Sequence, residues 1–323
     1  MKKRVLTGVQ ASGTLHIGNY FGAIRQMVDH QEKSDLFLFI ANLHSLTTVS
    51  DPKLLKSLTL QAATDLLALG INPDHCHFWV QSDVPEVAEL SWILSSLTPM
   101  GLLERAHAYK DKVAKGIHPS VGLFTYPVLM AADILINQIQ LVPVGKDQKQ
   151  HVEIARDIAI KFNNLYGETF TIPEPEIPED VAVIPGTDGQ KMSKSYGNTI
   201  PIFAEDNAIK KAVMGIVTDS KGVEESKDPE TNNIFNICKL FLTKSEQAAF
   251  ADRFRKGGMG YGDAKKYLLE KVLEYFRPFK EKRKYLENNS DEVEKILEDG
   301  AMKVRRTTLK TLEAVRKATG LRY

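Results

Sequence analysis

Short apolar runs alternate with helical patterns through the first half of the chain, and this alternation restricts the fold more than any other feature. The runs that read as strands lie at residues 4–7, 36–40, 77–81 and 140–144. A helix begins after Asp51, an N-cap that precedes Pro52, and ends near Gly70. Strands separated by helices form a parallel sheet with helices on its faces. We therefore predict an α/β fold with a doubly wound, Rossmann-like sheet, whose ligands bind at the carboxyl ends of the strands.

The pattern of the sequence changes close to residue 200. The proline-rich stretch 172–178 cannot continue a helix and is predicted to be an extended connector. From Asp206 onward the chain reads as successive helices, with a break near Gly257 and Gly258. We predict a Rossmann-like domain over residues 1–200 and a helical domain over residues 201–323, whose last helix is a candidate to pack back on the first domain.

Composition and cysteine usage narrow the class of protein. Of the 323 residues, 43% are apolar and 26% are charged, as in ordinary soluble enzymes, and no apolar run is long enough to cross a bilayer. The residues after Met1 lack the apolar core of a signal peptide. Cys76 and Cys238 form no paired motif, so we expect neither a zinc or iron–sulfur site nor disulfides. We predict a cytoplasmic protein without membrane contact.

A glycine-rich turn joins the first predicted strand to the first helix. Gly8 and Gly13 allow tight backbone paths, and His16 and Asn19 are three residues apart, so that they share one face of a helix. The positive end of that helix favours phosphate groups. Taken alone, the same residues fit equally well a tight turn in which the histidine only makes hydrogen bonds within the protein.

A second segment, Lys-Met-Ser-Lys-Ser at residues 191–195, follows a loop rich in glycine and aspartate at residues 185–189. Two lysines with a small hydroxyl residue between them suit a polyphosphate that must be gripped and then released. An isolated basic segment usually lies on the protein surface and binds no ligand. Its occurrence in the same chain after the His16 turn favours a nucleotide site.

Together the two segments resemble the HIGH and KMSKS signatures of the class I aminoacyl-tRNA synthetases. The stretches 8–13, 126–135 and 142–151 resemble the bacterial tryptophanyl-tRNA synthetases closely, and the resemblance spans essentially the whole chain. Two residues depart from the family pattern. Ala11 stands where many relatives have proline, and Lys146 replaces an acidic residue.

The resemblance implies an ATP-dependent ligase that joins an amino acid to ATP as an adenylate, releases pyrophosphate and transfers the amino acid to the 3′ end of tRNA. Lys191 and Lys194 would hold the pyrophosphate, with a magnesium ion carried by the ATP phosphates, near His16 and Asn19. Lys110 resembles a third phosphate-binding lysine, or is a solvated surface residue. No tightly bound cofactor is implied. The residues that the resemblance places around ATP are Gln10, Ala11, Ser12, Gly18, Asn19, Gly145, Lys146, Asp147, Val183, Lys191, Met192, Ser193, Lys194 and Ser195.

One predicted helix face favours tryptophan over tyrosine as the amino acid. Tyr126, Met130 and Asp133 fall at i, i+4 and i+7 and share that face. A buried indole N–H needs an acceptor, which Asp133 supplies, and Met130 offers a polarizable wall where the tyrosine enzymes carry glutamine. Ordinary core packing is the alternative for Met130. By resemblance, Tyr126 and Gln148 lie near the substrate ammonium group. The residues predicted to bind tryptophan are Leu6, Gly8, Tyr126, Met130, Asp133, Val142, Val144 and Gln148.

The resemblance also implies partners: a helical domain that binds the anticodon of tRNA(Trp), and a second copy of the chain in a homodimer. Residues 301–323 hold seven Lys or Arg against one acid, Glu313, which fits either RNA contact or a solvated helix face. Three other functions stay open. They are a tyrosine enzyme, which Met130 opposes, a related nucleotidyltransferase, which would lack the helical part, and a non-catalytic RNA-binding paralogue, which needs no intact lysine pair.

Overall fold

The computed structural model describes residues 2–11, 13–106, 109–110, 120–145, 148–177 and 183–323. Its strands are β1 (Arg4–Val9), β2 (Asp35–Ile40), β3 (Cys76–Val80), β4 (Leu141–Pro143) and β5 (Glu174–Glu176). They form a parallel sheet in the order β3-β2-β1-β4-β5. The predicted doubly wound parallel sheet is confirmed. The strand order reverses between β1 and β4, and such a reversal opens a crevice at the carboxyl ends of the strands.

Helices cover the sheet and make up most of the chain after residue 206. The first group consists of α1 (Ile17–Asn19), α2 (Arg25–Lys33), α3 (Asn42–Ser45), α4 (Pro52–Ala68), α5 (Glu86–Ser95), α6 (Met100–Glu104), α7 (Val121–Ile136) and α8 (Lys149–Tyr166). The second group consists of α9 (Asp206–Met214), α10 (Asn233–Cys238), α11 (Lys244–Lys256), α12 (Tyr261–Asn288) and α13 (Ser290–Ala318). A π-helical turn, Tyr20–Ile24, joins α1 to α2. None of these helices is both long and apolar enough to cross a bilayer.

Local signals set the bounds of α4 as the sequence predicts. The side chain of Asp51 accepts the backbone N–H groups of Lys53 at 2.8 Å and Leu54 at 3.1 Å, which satisfies two donors that the helix leaves open. Pro52 takes the first helical position, where its missing N–H costs nothing. Gly70, with a φ of 114°, lets the chain turn away just after the helix ends.

Strand β5 lies inside the stretch that was predicted to be an extended connector. Its extended backbone was expected, but its pairing with β4 was not, because Pro175 has no N–H for a ladder. An outermost strand needs hydrogen bonds on one side only, so it tolerates proline. The N–H of Glu174 donates to Gln140 O at 2.9 Å, and Glu176 O accepts the N–H of Val144 at 3.0 Å.

Each face of the sheet has its own hydrophobic core, because successive residues of a strand point to opposite faces. Val5 of β1 belongs to the core that includes α4 and α12, whereas the neighbouring Leu6 belongs to the core of α5, α7 and α8. Helix α13 supplies Val304 and Leu312 to the second core. Both cores therefore contain residues from either side of residue 200, and the division into two domains there stays a prediction.

Helix α13 lies directly against β3, the strand at the edge of the sheet opposite β5. At Gly300 a side-chain Cβ would stand 1.7 Å from the carbonyl oxygen of Phe78, so only glycine allows this approach. Nearby, Arg305 Nη2 donates to the buried Glu86 Oε1 at 2.6 Å. A backbone contact and an ion pair between the partly exposed Arg305 and the buried Glu86 thus join α13 to the sheet.

We expect Gly300→Ala to lower the free energy of unfolding by about 3 kcal/mol, because the added methyl group overlaps the Phe78 carbonyl and forces α13 away from β3. Urea unfolding followed by circular dichroism measures the change. Gly262→Ala in α12 is the matched control. Among the described residues no atom beyond its chain neighbours and its own helix backbone lies within 4 Å of its Cβ position, so the substitution should be neutral or stabilising by roughly 0.5–1 kcal/mol. Equal stabilities of the two variants would contradict the close contact at Gly300.

Candidate active site

A cavity of about 430 Å³ opens where β1 and β4 end. Its volume lies in the range of small-molecule sites. The cavity brings together all eight residues that the sequence predicts for the amino acid, and it also includes Gln10 and Gly145 from the predicted ATP set. Their binding roles stay predictions. The lining residues are Leu6, Thr7, Gly8, Gln10, Met27, Phe39, Ala41, His44, Tyr126, Met130, Asp133, Ile134, Val142, Pro143, Val144, Gly145 and Gln148.

Asp133 is a carboxyl group buried in the wall of this cavity, with 4% of its surface exposed. Its Oδ2 lies 3.0 Å from Nε2 of His44 and accepts from Nε2 of Gln81 at 2.9 Å, while Oδ1 accepts from the same amide nitrogen at 3.0 Å. Burial raises the pKa of Asp133, and the hydrogen bonds from His44 and Gln81 oppose that rise. The two partners therefore hold a polar acceptor in the wall of a pocket that is lined mostly by apolar residues.

The orientation of Gln81 follows from its other contacts. Its Oε1 accepts the backbone N–H of Leu43 at 3.1 Å, so the amide nitrogen is the group that faces Asp133. Neither His44 nor Gln81 was predicted from the sequence. A signal for them exists, since Gln81 directly follows β3 and His44 lies in α3, just beyond β2, where a parallel sheet collects its functional side chains.

Tyr126 and Gln148 are linked through His151, another residue that the sequence analysis did not assign. The Tyr126 hydroxyl is hydrogen-bonded to Nε2 of His151, and Nδ1 of His151 lies 2.8 Å from Oε1 of Gln148. Because an amide oxygen only accepts, Nδ1 of His151 donates to Gln148, and Nε2 pairs with the Tyr126 hydroxyl. Burial raises the pKa of Tyr126 to about 12, so the hydroxyl keeps its proton. Its oxygen can therefore accept a hydrogen bond from a cationic group.

The turn that carries His16 begins helix α1. Asn19 Oδ1 accepts the backbone N–H of His16 at 3.1 Å, so this side chain turns back to cap the helix. The His16 ring is buried, and its Nδ1 has no hydrogen-bond partner among the described residues. Burial, and secondly the charge of Lys194, lower the pKa of His16 to about 4. At neutral pH His16 is therefore an uncharged hydrogen-bonding group rather than a cation.

The structure brings the lysine segment against the His16 turn. We call residues 186–198 the lysine loop. The N–H of Ile17 donates to Ile200 O at 3.0 Å just beyond this loop, and the buried Met192 packs on Gly18. A Cβ at Gly18 would lie 3.0 Å from His16 Nδ1 and 3.2 Å from Met192 Cβ, so glycine permits this close packing. The side chains of Lys191 and Lys194 are exposed, as a site for a polyphosphate requires.

Several other residues that were predicted to bind ATP lie outside the lining of the cavity. Ala11 is buried in the core between the sheet and α4, so its side chain serves packing. Val183 and Lys110 are exposed, and the Tyr109 ring next to Lys110 packs edge-on against Phe124 of α7. Three further residues fall outside the described part of the chain: Ser12, Lys146 and Asp147.

Comparison with known proteins gives consistent matches. A family model described as class I tRNA synthetases (W and Y) matches residues 1–277. The chain is 57% identical over 318 residues to the tryptophan–tRNA ligase of Campylobacter jejuni (strain RM1221), covering 98% of this chain and 100% of that protein. It is 51% identical over 319 residues to the tryptophan–tRNA ligase of Rhodopirellula baltica, covering 99% and 100%. The crystal structure of tryptophanyl-tRNA synthetase from Campylobacter jejuni complexed with ADP and tryptophan has a TM-score of 0.95 at 57% identity, covering 98% of this chain and 99% of that one.

The low pKa of His16 makes the stability of the fold depend on pH. Between pH 4 and pH 6.5 the unfolded chain binds a proton on this residue and the folded chain does not, so the free energy of unfolding falls as the pH falls. We expect His16→Gln to remove roughly 1–3 kcal/mol of that loss. Urea unfolding of both proteins across this pH range measures the effect. Parallel pH profiles of the variant and the unaltered protein would contradict the assignment.

Proposed function

This chain belongs to the class I tRNA synthetases for tryptophan and tyrosine, and we propose that it activates L-tryptophan with ATP and then transfers it to the 3′ end of tRNA(Trp). The observation that carries the proposal is the buried acceptor Asp133 beside Met130 in the wall of an apolar cavity. An indole ring is apolar except for one N–H, which only donates. Such a ring fits a pocket whose lining is mostly apolar and in whose wall a buried carboxyl group offers an acceptor.

The hydrogen bonding around Asp133 favours tryptophan over tyrosine. A carboxylate offers about four acceptor positions, so after its bonds to His44 and Gln81 it can still accept from an indole N–H. A phenol hydroxyl both donates and accepts, and would need a donor in the same place. The nearest donors, His44 and Gln81, are already engaged with Asp133. Met130 adds a polarizable wall without hydrogen-bonding capacity of its own, which suits the indole ring.

We propose that activation proceeds by attack of the tryptophan carboxylate on the α-phosphorus of ATP, with pyrophosphate leaving. The attacking group is already ionised at neutral pH, so catalysis consists of positioning and charge stabilisation. The Tyr126 hydroxyl, with Gln148 beside it, would accept from the substrate ammonium group. The exposed lysines at 191 and 194 would stabilise the charge that builds on the leaving pyrophosphate, and His16 would donate a hydrogen bond without adding charge.

Magnesium would enter this site with ATP. Among the described residues, no group of three or more His, Cys, Asp or Glu side chains is arranged to hold a metal ion. The phosphate oxygens would therefore be its main ligands, and its contribution would be to neutralise phosphate charge. The protein's own part in charge stabilisation then falls to the lysine loop.

Further partners are proposed from the surface of the molecule. Trp92 of α5 is 78% exposed, an apolar surface of the kind that a second copy would cover in the proposed homodimer. The helical part after residue 200 would bind tRNA in the cytoplasm. Of the basic residues in α13, Arg305 and Arg316 are committed to Glu86 and Glu89, so RNA contact would fall to the others.

Amino-acid-dependent exchange of labelled pyrophosphate into ATP tests the proposed activation step. We expect exchange with tryptophan and at least about 100-fold less with tyrosine or phenylalanine at equal concentrations, because only tryptophan pairs with Asp133 without leaving a polar group unpaired. Exchange with tyrosine alone would overturn the reading of Asp133 and Met130 while keeping the family. Charging of tRNA(Trp) with labelled tryptophan then tests the second step.

We expect Lys194→Ala to reduce kcat for this exchange by about 100-fold, because the variant lacks a cation that stabilises the leaving pyrophosphate. The KM for tryptophan should change by less than about threefold, since the amino-acid cavity does not include Lys194. Lys256→Ala, at an exposed lysine at the end of α11, is the matched control and should exchange normally. Normal turnover of Lys194→Ala would remove Lys194 from the mechanism.

A further inference from the structure

The lysine loop is tied together by the side chain of one buried residue, Asn198, which is 2% exposed. Its Oδ1 accepts the backbone N–H of Ser193 at 2.8 Å. Its Nδ2 donates to Oδ1 of Asp188 at 2.7 Å and to the carbonyl oxygen of Lys191 at 3.1 Å. The amide oxygen and both amide hydrogens are therefore bonded to three different points of the same loop.

The start of the loop is shaped to admit this amide. A Cβ at Gly186 would stand 2.3 Å from Asn198 Nδ2, so any side chain at residue 186 would displace the amide. The backbone N–H of Thr187 donates to the carbonyl oxygen of Asn198 at 2.9 Å. The two ends of the loop are thus joined through Asn198, by both its backbone and its side chain.

The Asn198 amide also fixes the part of the loop that carries the lysines. Its bonds to Lys191 O and Ser193 N hold the backbone on either side of Met192, whose side chain is buried against Gly18. Lys194 directly follows Ser193. Lys191 is exposed, and the charge of Lys194 acts on the buried His16 ring, so the placement of both side chains depends on where this short stretch of backbone is held.

We propose that Asn198 is a positioning residue for adenylate formation: it holds Lys191 and Lys194 where the leaving pyrophosphate develops its charge. The inference rests on the proposed function of the lysine loop. Preorganised charges stabilise a transition state only when they are already in place, so loss of the amide should reduce the rate of activation. The tryptophan cavity has no lysine-loop residue in its described lining, so the KM for tryptophan should not change.

Four variants, assayed by tryptophan-dependent pyrophosphate exchange, test this inference. Asn198→Ala removes all three side-chain bonds, and we expect kcat to fall by at least about tenfold with the KM for tryptophan within about twofold. Asp188→Asn is the matched control, because the new amide oxygen still accepts from Asn198, and it should retain near-normal turnover. Asn198→Asp keeps the acceptor for Ser193 N–H but places two carboxylates together, and should be as slow as Asn198→Ala.

The double variant Asn198→Asp with Asp188→Asn reverses donor and acceptor, and should regain at least about threefold of the rate lost in Asn198→Asp. That rescue would show that the lost rate depends on the bond between residues 188 and 198. It also decides the matter if Asn198→Ala fails to fold.

Three results would overturn the inference: normal kcat in Asn198→Ala, a rise in the KM for tryptophan that matches the fall in kcat, or no gain in the double variant. Exchange that requires Lys194 but not Asn198 would overturn this inference and leave the proposed function standing. Absence of tryptophan-dependent exchange in the unaltered protein would instead overturn the proposed function, and the inference with it.

Discussion

A carboxyl group inside an apolar wall stays there only if hydrogen-bond donors accompany it, and this constraint organises the proposed amino-acid site. Asp133 lies on α7, while its partners His44 and Gln81 follow β2 and β3. Three elements that are distant along the chain are thereby bound to one group at the carboxyl ends of the strands. Tyr126 and Met130 occupy the same helix as Asp133, so their positions in the cavity depend on the same bonds.

The parts of this molecule that could be predicted from sequence are those encoded in short stretches. The apolar runs marked four of the strands, and the spacing of Tyr126, Met130 and Asp133 marked one face of a helix. The roles of His44 and Gln81 depend on bonds to Asp133 from positions 89 and 52 residues away, which no local spacing reports. The pairing of β5 depended on its place at the sheet edge, where Pro175 is tolerated, and sequence pattern does not specify that place.

The nucleotide side of the site shows the same division between local and non-local information. The residue types of the two motifs indicated phosphate chemistry, and the fold brings them together through Met192 and Gly18. The charge state of His16 follows from its burial and from the nearby Lys194, and neither is visible in the motif itself. In the proposed mechanism the tasks are therefore separate: the neutral His16 ring would offer directional hydrogen bonding and the lysine ammonium groups would supply the charge. The resemblance suggests these residues, and the geometry suggests how their tasks differ.

The close contact between Gly300 and the backbone of Phe78 also has a consequence for folding during synthesis. Strand β3 is complete once residue 80 has been synthesised, yet the helix that lies against it contains residues 290–318. During synthesis this edge of the sheet stays uncovered until residues 290–318 have emerged, and an uncovered edge strand can pair with other chains. Chains that lack residues 290–318 keep this edge open, and we expect them to aggregate more readily than chains in which α13 covers β3.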